Sequence, residues 1–399
     1  MAKRILLVNK FYYSRGGAEV VTINLYNELT SRGYDVAVFT MDYHSMIREH
    51  KVYTVPEVTF KEGFGQQINF ARRTLGDYGV KQAFKHALDD FKPDVVHLQN
   101  IHSYISPAVA QLAKERGCRV VWTMHDYKLI CPAYSCLNQG VPCEKCYSHK
   151  HKILSERCFK NSFSASALAF VEAKKWNRRK LEKLVDAFVC PSNFMRNQMI
   201  KGGFSPSRLY VVNNFIDPIK ARELKRGVVT EKGGYYTYIG RLSEEKGVET
   251  LLKAAQHLPY TLKIGGNGPL REYFETNYSA DNIEFLGQLD AVEVSEVMRN
   301  ANVLIQPSEC YENNPLSTIE ALCAGTPVIG SDMGGIPELI NEDNGMIYAA
   351  NDEIALEQCI RRVMEQDGYD YHAIARAARE RFGADRHIEK LEKLYFGGR

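Results

Sequence analysis

Residues 309–322 have the sequence ECYENNPLSTIEAL. A short apolar run, Val303-Leu304-Ile305, precedes this stretch, and Pro315 fixes the backbone just before apolar residues recur at helical spacing. The pattern predicts a strand, a polar loop and a helix that begins near Leu316. Because the first N–H groups of a helix have no partner inside it, those of residues 316–318 can receive an anion.

Two carboxylates flank this predicted anion site, Glu312 before the helix and Glu320 one turn beyond its start. A nucleotide sugar fits such an arrangement, with the diphosphate on the amides of Leu316 and Ser317 and hydroxyl groups on the carboxylates. A capped helix with two solvated acids is the plainer alternative, because glutamate is common at surface positions. The stretch alone leaves both interpretations open.

Composition and length set the class of protein. The chain has 399 residues, of which 45% are hydrophobic and 25% charged, as in soluble globular proteins with two domains. The net charge of +3 is too small to indicate a nucleic-acid partner. The sequence contains no apolar run long enough to span a bilayer and no cleavage signal after its amino terminus, so we expect a cytoplasmic protein.

Strands and helices alternate along most of the chain, although residues 43–90 show little periodicity before Val80. Apolar runs predict buried parallel strands at residues 5–8, 36–39, 94–98, 120–124, 187–190, 209–212, 236–239, 261–264, 283–286 and 303–305. This order predicts an α/β fold. Its predicted parts are a first domain at 1–212, a linker at 213–234, a second domain at 235–378 and a C-terminal helix at 379–399.

Two features of the first predicted domain indicate a ligand site. Gly16-Gly17 precedes a helix, where glycine lets the backbone approach a diphosphate or a sugar. His125 and Asp126 follow a predicted strand, and ligands of open parallel sheets bind at the carboxyl ends of the strands. A tight turn and a packed surface histidine explain the same residues without a ligand. In the second predicted domain, Gly265–Gly268 stands at a strand end in the same way.

Ten cysteines are too few for a scaffold built on disulfides, so we expect thiols or metal ligands. Five of them lie in a cysteine-rich insert at about 131–158, and its Cys-x2-Cys pair can present two thiolates to a zinc ion. A structural zinc site and unligated thiols, including a redox pair, are both open at this point. The candidate ligands are Cys131, Cys136, Cys143, Cys146 and Cys158.

Residues 145–183 are markedly basic and include four aromatic side chains, Phe159, Phe163, Phe170 and Trp176. Basic side chains beside apolar ones favour an anionic bilayer surface, which predicts peripheral contact with the inner face of a membrane. A charge run is also typical of a solvated helix face. The sequence supports both interpretations.

Several motifs, in order along the chain, resemble those of retaining glycosyltransferases of the GT-B fold, glycosyltransferase family 4. They are Gly16-Gly17-Ala18-Glu19, GRLSEEKG at 240–247, the pair Glu312 and Glu320, AGTPVIGS at 324–331, and GGIPELI at 334–340. The resemblance implies two Rossmann-like parallel-sheet domains facing a central cleft, with the nucleotide held mainly by the second and the acceptor by the first. It also implies that the last helix crosses back to the first domain.

The resemblance further implies roles for individual residues. Arg241 and Lys246 supply cations to the diphosphate, and we expect both side chains to lie outside the core. Glu320 takes the ribose hydroxyls, Glu312 takes the sugar hydroxyls, and His125 contacts the donor sugar with Asp126 orienting it. The remaining donor contacts implied are Gly16, Gly17, Gly266, Leu289, Asn313, Asn314, Leu316 and Ser317.

The resemblance also implies a reaction without a protein nucleophile, in which the leaving phosphate takes the acceptor proton. Because the chain contains no Asp-x-Asp, we expect no catalytic metal. The chain departs from the family at Asn313-Asn314-Pro315, since proline has no N–H to give the sugar. Amide side chains can replace that donor.

Donor and acceptor are expected from the family alone: a UDP-sugar, and a glycan or lipid-linked acceptor of cell-surface polysaccharide synthesis. Two other functions remain open on this fold. One is a nucleotide-sugar epimerase, for which His125 can serve as an acid or base. The other is a protein that binds a nucleotide sugar without turning it over.

Overall fold

The computed structural model describes residues 2–58, 63–77, 79–224, 227–366 and 368–397. The chain forms two compact units. The first comprises Met1–Gln139, Cys143–Asn213 and Ile388–Arg399, and the second comprises Gly140–Pro142 and Asn214–His387. Residues 225 and 226 of the predicted linker, and residues 398 and 399 of the predicted C-terminal segment, lie outside the described residues.

The first unit is built on a parallel sheet of seven strands with the order β3-β2-β1-β4-β5-β8-β9. Its order reverses between β1 and β4, which is the point where open parallel sheets bind ligands. The elements between residues 4 and 211 are β1 (Arg4–Val8), α1 (Gly17–Ser31), β2 (Asp35–Met41), β3 (Val52–Val55), α2 (Gly63–Thr74), α3 (Val80–Phe91), β4 (Val95–Leu98), α4 (Ala108–Glu115), β5 (Arg119–Thr123), β6 (Leu137–Asn138), β7 (Val141–Pro142), α5 (Lys152–Glu156), α6 (Phe163–Lys175), α7 (Arg178–Leu184), β8 (Ala187–Cys190), α8 (Asn193–Lys201) and β9 (Leu209–Val211).

The second unit has a parallel sheet of six strands with the order β12-β11-β10-β13-β14-β15, which reverses between β10 and β13. The remaining elements of the chain are α9 (Pro218–Leu224), β10 (Tyr235–Ile239), α10 (Val248–Ala255), β11 (Thr261–Gly265), α11 (Arg271–Asn277), β12 (Ile283–Gly287), α12 (Ala291–Asn300), β13 (Val303–Gln306), α13 (Leu316–Ala324), β14 (Val328–Ser331), β15 (Gly345–Tyr348), α14 (Glu353–Glu365), α15 (Tyr371–Phe382) and α16 (Ala384–Phe396).

Both faces of the second sheet are buried, which explains its continuous apolar strands. Side chains of a strand alternate between the two faces. In β13, Val303 and Ile305 join one hydrophobic cluster with Leu251 and Leu356, whereas Leu304 joins another that includes Ile319. Helices therefore cover both faces, and polar residues concentrate where the strands end.

The α/β fold predicted from the sequence is confirmed, and so are the ten predicted strands. The structure adds five short strands, namely β3, β14 and β15 in the two large sheets and the two-residue strands β6 and β7. It also differs at residues 213–234, for which the sequence predicts a linker. This segment contains α9, and Ile216 and Leu224 lie in the core of the second unit.

Candidate active site

Helix α13 begins as the sequence predicts. Pro315 is its N-cap residue, and no side chain caps the helix. The first acceptor inside the helix is the Pro315 carbonyl, which receives the Ile319 N–H at 3.3 Å. The N–H groups of Leu316, Ser317 and Thr318 therefore face the end of the helix, where they can donate hydrogen bonds to a diphosphate.

Two buried side-chain donors lie at this helix end. The amide oxygen of Asn314 accepts the Asn214 N–H at 2.7 Å, but its Nδ2 group has no acceptor among the residues that the structure describes. The hydroxyl of Thr318 also lacks a partner within those residues. A buried polar group without a hydrogen bond costs about 1–3 kcal/mol, so two of them at one helix end indicate a ligand site.

A chain of hydrogen bonds runs from α13 to Lys246. Ser317 Oγ donates to Gln306 Oε1 at 3.0 Å, and Gln306 Nε2 donates to Ser308 Oγ at 2.9 Å. Ser308 Oγ donates to Glu312 Oε1 at 2.8 Å, and Lys246 Nζ donates to the same oxygen at 2.5 Å. These bonds fix the Glu312 carboxylate relative to the first turn of the helix.

Glu312 and Lys246 form a mostly buried ion pair, with side chains 14% and 26% exposed. Burial acts to raise the pKa of Glu312, but the charge and hydrogen bond of Lys246 and the hydrogen bond from Ser308 bring that pKa below its ordinary value. Burial acts to lower the pKa of Lys246, and Glu312 more than offsets this, so that pKa is raised. Contrary to the expectation that Lys246 lies outside the core, its ammonium holds a buried carboxylate.

Glu320 lies on α13 one turn beyond its start and is also paired. Lys220 Nζ lies 2.6 Å from Glu320 Oε1, and the two side chains are 24% and 13% exposed. Within the described ranges, Glu320 Oε2 makes no hydrogen bond, so one carboxylate oxygen can still accept from a ligand. Sequence analysis missed Lys220 because it stands in the segment predicted as a linker.

Arg241 follows β10 at the point where the order of the second sheet reverses. Its side chain is exposed and makes no ion pair or hydrogen bond with any residue that the structure describes. The Tyr238 hydroxyl donates to the Arg241 carbonyl at 2.8 Å and so fixes its backbone. Arg241 is therefore a cation that a diphosphate can approach from solvent.

A loop after a neighbouring strand packs closely against Gly240, the residue before Arg241. Gly266, after β11, has φ +137°, and a Cβ atom there would lie 1.9 Å from the Gly240 carbonyl oxygen. Only glycine allows this approach. The Leu289 side chain packs against Gly265 from the loop after β12. Gly266 and Leu289 thus lie at the same sheet edge as Arg241.

The glycine pair Gly334-Gly335 supports Glu312 from the loop after β14. The Gly335 N–H donates to the Glu312 carbonyl at 2.7 Å, and Gly334 has φ +66° with no room for a Cβ atom beside that carbonyl. The motif at 334–340 therefore acts on the loop that carries Glu312. Because this motif lies far from Glu312 in the sequence, local sequence pattern does not predict the contact.

In the first unit, Gly16 is the N-cap residue of α1 and both Gly16 and Gly17 are exposed. Glu19, in the first turn, is buried. Burial raises the pKa of Glu19, although the Lys10 ammonium opposes this. The glycine turn thus lies over an internal carboxylate and remains open to a ligand.

His125 and Asp126 follow β5, as the sequence predicts, and each has a defined contact. His125 Nε2 lies 2.6 Å from Gln99 Oε1. Asp126 Oδ1 accepts the Lys128 N–H at 2.9 Å and lies 3.4 Å from His102 Nε2. Burial lowers the pKa of His102 although Asp126 opposes the change. Gln99, which sequence analysis missed, is a direct partner of the His125 ring.

Of the two interpretations of the cysteine-rich insert, the structure does not support the zinc site. All ten cysteines are free thiols, and among the described residues no three His, Cys, Asp or Glu side chains are placed to hold a metal ion. Two of the thiols pair with each other. Cys136 hydrogen-bonds Cys131, which lowers the pKa of the Cys131 thiol, and Cys136 Sγ lies 3.4 Å from the Tyr147 hydroxyl. Sequence spacing could not show that Cys143, Cys146 and Cys158 fail to complete a tetrahedral set.

The basic segment is divided between the interior and the surface. Phe159 and Trp176 are buried, and Lys180 Nζ lies 4.2 Å from the centre of the Trp176 ring. Phe163 and Val171 are 58% and 47% exposed on α6. Only part of the predicted membrane face is therefore at the surface. Within the described ranges, no helix is both long and apolar enough to cross a bilayer.

The two α/β units, each built on a parallel sheet, are those of the GT-B fold. Residues 15–220 match the model of Glycosyltransferase Family 4, and residues 220–381 match that of Glycosyl transferases group 1. The chain therefore belongs to glycosyltransferase family 4. The resemblance of its sequence motifs to this family is confirmed.

Three known proteins illustrate this relationship. An uncharacterized 42.6 kDa protein in the cps region of Klebsiella pneumoniae is 29% identical over 84% of this chain and 87% of its own. Sulfoquinovosyl transferase SQD2 of Arabidopsis thaliana is 26% identical over 82% of this chain and 62% of its own. The crystal structure of Anabaena Alr3699/HepE in complex with UDP and glucose has a TM-score of 0.68 at 17% identity, over 98% of both chains.

Proposed function

We propose that this glycosyltransferase moves a sugar from a UDP-sugar to a glycan or lipid-linked acceptor with retention of configuration. The observation that carries the proposal is the pair of buried donors, Asn314 Nδ2 and Thr318 Oγ1, beside the Glu312–Lys246 pair. The complex of HepE with UDP and glucose supports UDP as the donor nucleotide. The relative in a cps region supports a role in cell-surface polysaccharide synthesis.

In the second unit, the diphosphate lies on the free amides of α13 and on the Arg241 guanidinium. Negative charge builds on the diphosphate as the anomeric bond breaks, so fixed cations and helix N–H groups aimed there lower the barrier. Glu320 Oε2 accepts a ribose hydroxyl. Lys246 neutralises Glu312 and holds it to accept the sugar hydroxyls.

Asn314 replaces the donor that Pro315 cannot supply. The amide oxygen of Asn314 accepts a hydrogen bond from Asn214, and this bond fixes the orientation of the buried Nδ2 group. An N–H group without a protein acceptor gains most from a hydroxyl oxygen of the ligand. Asn313, beside it in the same loop, is the second amide of this departure from the family pattern.

In the first unit, Gly16, Gly17 and His125 contact the sugar, and Asp126 fixes the loop that carries His125. No protein nucleophile takes part. The acceptor hydroxyl attacks the anomeric carbon from the side that the diphosphate leaves, and a phosphate oxygen of the leaving group takes the hydroxyl proton. No step needs a metal ion.

A panel of nucleotide sugars tests the donor by thermal shift. A ligand at 100 times its dissociation constant stabilises the folded protein by about 2.7 kcal/mol, and we expect a UDP-sugar to give the largest shift. Glu320→Ala should abolish much of the shift, since it removes ribose binding. Glu312→Ala should lower kcat more than it raises KM.

The matched control is Glu342→Ala, which removes an exposed carboxylate elsewhere on the second unit. Equal effects of the two site variants on kcat and KM would contradict the division of roles. Conversion of a UDP-sugar to its epimer without acceptor would establish an epimerase instead. Binding without transfer or hydrolysis would establish a protein that only binds the nucleotide sugar.

We also propose that the exposed face of α6 and α7 contacts an anionic membrane. Phe163 and Val171 lie eight residues apart and share one helix face, and exposed basic residues continue from it. Each basic side chain near an anionic surface is worth roughly 1 kcal/mol. The basic residues are Lys174, Lys175, Arg178 and Arg179.

Lys174→Glu/Lys175→Glu is therefore expected to lose binding to phosphatidylglycerol vesicles in a flotation assay, while binding to phosphatidylcholine stays weak for both proteins. The control is Lys81→Glu/Lys85→Glu, which makes the same charge change on exposed positions of α3. An equal loss in both variants would show that net charge alone drives binding. No vesicle binding by the unaltered protein would remove the membrane role.

A further inference from the structure

Gln99 stands at the point where the order of the first sheet reverses. Its N–H donates to the Val8 carbonyl at 2.8 Å, at the end of β1. Its carbonyl accepts Trp122 Nε1 at 3.0 Å, from β5. Gln99 is buried, and both of its backbone groups are tied to neighbouring strands. The backbone of Gln99, from which its side chain extends, is therefore held in place.

The Gln99 amide links two histidines. Its Oε1 atom lies 2.6 Å from His125 Nε2, and its Nε2 atom lies 3.2 Å from His97 Nε2. His97 is buried, and two further contacts of its ring are defined. Thr123 Oγ1 lies 2.8 Å from its Nε2 atom, and the Tyr395 hydroxyl lies 2.6 Å from its Nδ1 atom.

The chemistry of an amide fixes where the protons of both rings lie. An amide oxygen only accepts, so His125 must donate from Nε2. An amide nitrogen only donates, so His97 Nε2 accepts and the His97 proton lies on Nδ1, facing Tyr395. Burial keeps the pKa of Tyr395 well above its ordinary value, so its hydroxyl stays neutral.

We propose that Gln99 is a positioning residue for His125, which it holds in the tautomer with the proton on Nε2. The Nδ1 atom of His125 then carries the lone pair of the ring, so that atom acts as a hydrogen-bond acceptor and not as a donor. This inference rests on the proposed role of His125 as a contact to the donor sugar. His97, Thr123 and Tyr395 act indirectly, because they fix the orientation of the Gln99 amide.

The network also gives the C-terminal segment a part in the reaction. Tyr395 lies on α16, within the residues that belong to the first unit, and it is buried. Its hydroxyl is the far end of a chain that reaches His125 through His97 and Gln99. Tyr395 thereby helps to hold the His97 ring in a network whose other end is His125, 270 residues earlier in the sequence.

Nitrogen NMR of the protein with 15N-labelled histidine tests the proposal without any substrate. At about pH 8.5 the imidazoles are neutral, and long-range proton–nitrogen spectra identify the tautomer of each. The rings are assigned from spectra of His125→Gln and His97→Gln. We expect the proton on Nε2 in His125 and on Nδ1 in His97. A proton on Nδ1 of His125 overturns the proposal.

Two substitutions at Gln99 give opposite results for the two rings. Gln99→Glu keeps an acceptor for His125, which retains its tautomer, but it forces His97 to move its proton to Nε2. Gln99→Leu removes both bonds, so His125 should exchange between its two tautomers. An unchanged His97 signal in Gln99→Glu contradicts the proposed amide direction.

Transfer or hydrolysis of UDP-glucose then links the tautomer to the reaction. Gln99→Leu should lower kcat on the order of tenfold with KM little changed, below the hundredfold that a 1 Å displacement can cause. Gln99→Glu should recover most of that loss. Gln111→Leu, which removes an amide bonded to Glu115 on α4, is the matched control.

The outcomes separate this inference from the proposed function. If Gln99→Leu changes the His125 tautomer but leaves kcat at the wild-type value, Gln99 is not a positioning residue. If the wild-type protein turns over no UDP-glucose, glucose is not the sugar that it transfers, and the tautomers of His125 and His97 alone decide the inference.

Discussion

Lys246→Ala is expected to lower the free energy of unfolding by about 3 kcal/mol, because it leaves the Glu312 carboxylate mostly buried and without its cation. The Lys246 and Glu312 side chains are 26% and 14% exposed, so we expect the low end of the range for breaking a buried pair. Urea unfolding of the purified variant measures the change.

The double variant Lys246→Ala/Glu312→Ala tests whether the loss of stability comes from an unpaired buried charge. Because removal of both charges leaves none unpaired, its loss of stability should be smaller than the sum of the two single losses. Lys253→Ala is the matched control, since Lys253 lies 3.6 Å from Glu249 in a pair whose side chains are 50% and 44% exposed. We expect that control to cost less than about 1 kcal/mol.

The pH dependence of stability gives a second measurement. The folded pKa of Glu312 lies below its ordinary value, so the folded state gains stability from its ionised form. That contribution is complete above the ordinary value of 4.5 and is lost as the pH falls through the folded pKa. If the wild-type protein and Lys246→Ala lose stability equally on acidification, the ion pair does not contribute as proposed.

The strands and helices around the site follow from local sequence. Continuous apolar runs such as Ile5-Leu6-Leu7-Val8 predict buried parallel strands because both faces of such sheets are covered. Pro315 and the spacing of the apolar residues after it place the start of α13 correctly. Local pattern predicts where the carboxyl ends of strands lie, and hence most of the candidate residues.

Pairings between distant residues could not be predicted in the same way. Lys246 and Glu312 stand 66 positions apart, and each was assigned its own ligand contact rather than a bond to the other. Lys220 and Glu320 are 100 positions apart, and the sequence around Lys220 has too little periodicity to place it. Only the folded sheet brings these charges together.

The sequence around Gln99 contains a signal of a buried polar network. Gln99 follows a strand in which His97 already interrupts an apolar run. A buried amide or imidazole needs a partner, so two of them in this stretch indicate a polar network inside the protein. The partners themselves, Thr123, His125 and Tyr395, lie 26 to 298 positions away from these two residues.

Arg241→Ala is expected to reduce kcat/KM for sugar transfer about a hundredfold while leaving the melting temperature unchanged. The guanidinium is exposed and has no ion pair within the described residues, so its removal leaves no buried charge behind. Loss of one fixed donor to a developing negative charge typically costs about 2.7–4 kcal/mol in the transition state. Steady-state transfer and a matched melting curve measure the two effects.

Substitutions of Arg241 and Lys246 are expected to differ in their effect on stability, although both residues stand in the same motif. Lys246→Ala should lose activity and stability together, whereas Arg241→Ala should lose activity alone. Because both cations act on the same bound nucleotide sugar, Arg241 at the diphosphate and Lys246 through Glu312, the double variant should lose less activity than the product of the single losses. Arg376→Ala, which removes an exposed arginine from α15, is the control for a change in net charge. If Arg241→Ala transfers sugar at the wild-type rate, or if its activity falls only as folded protein is lost, Arg241 does not stabilise the leaving group.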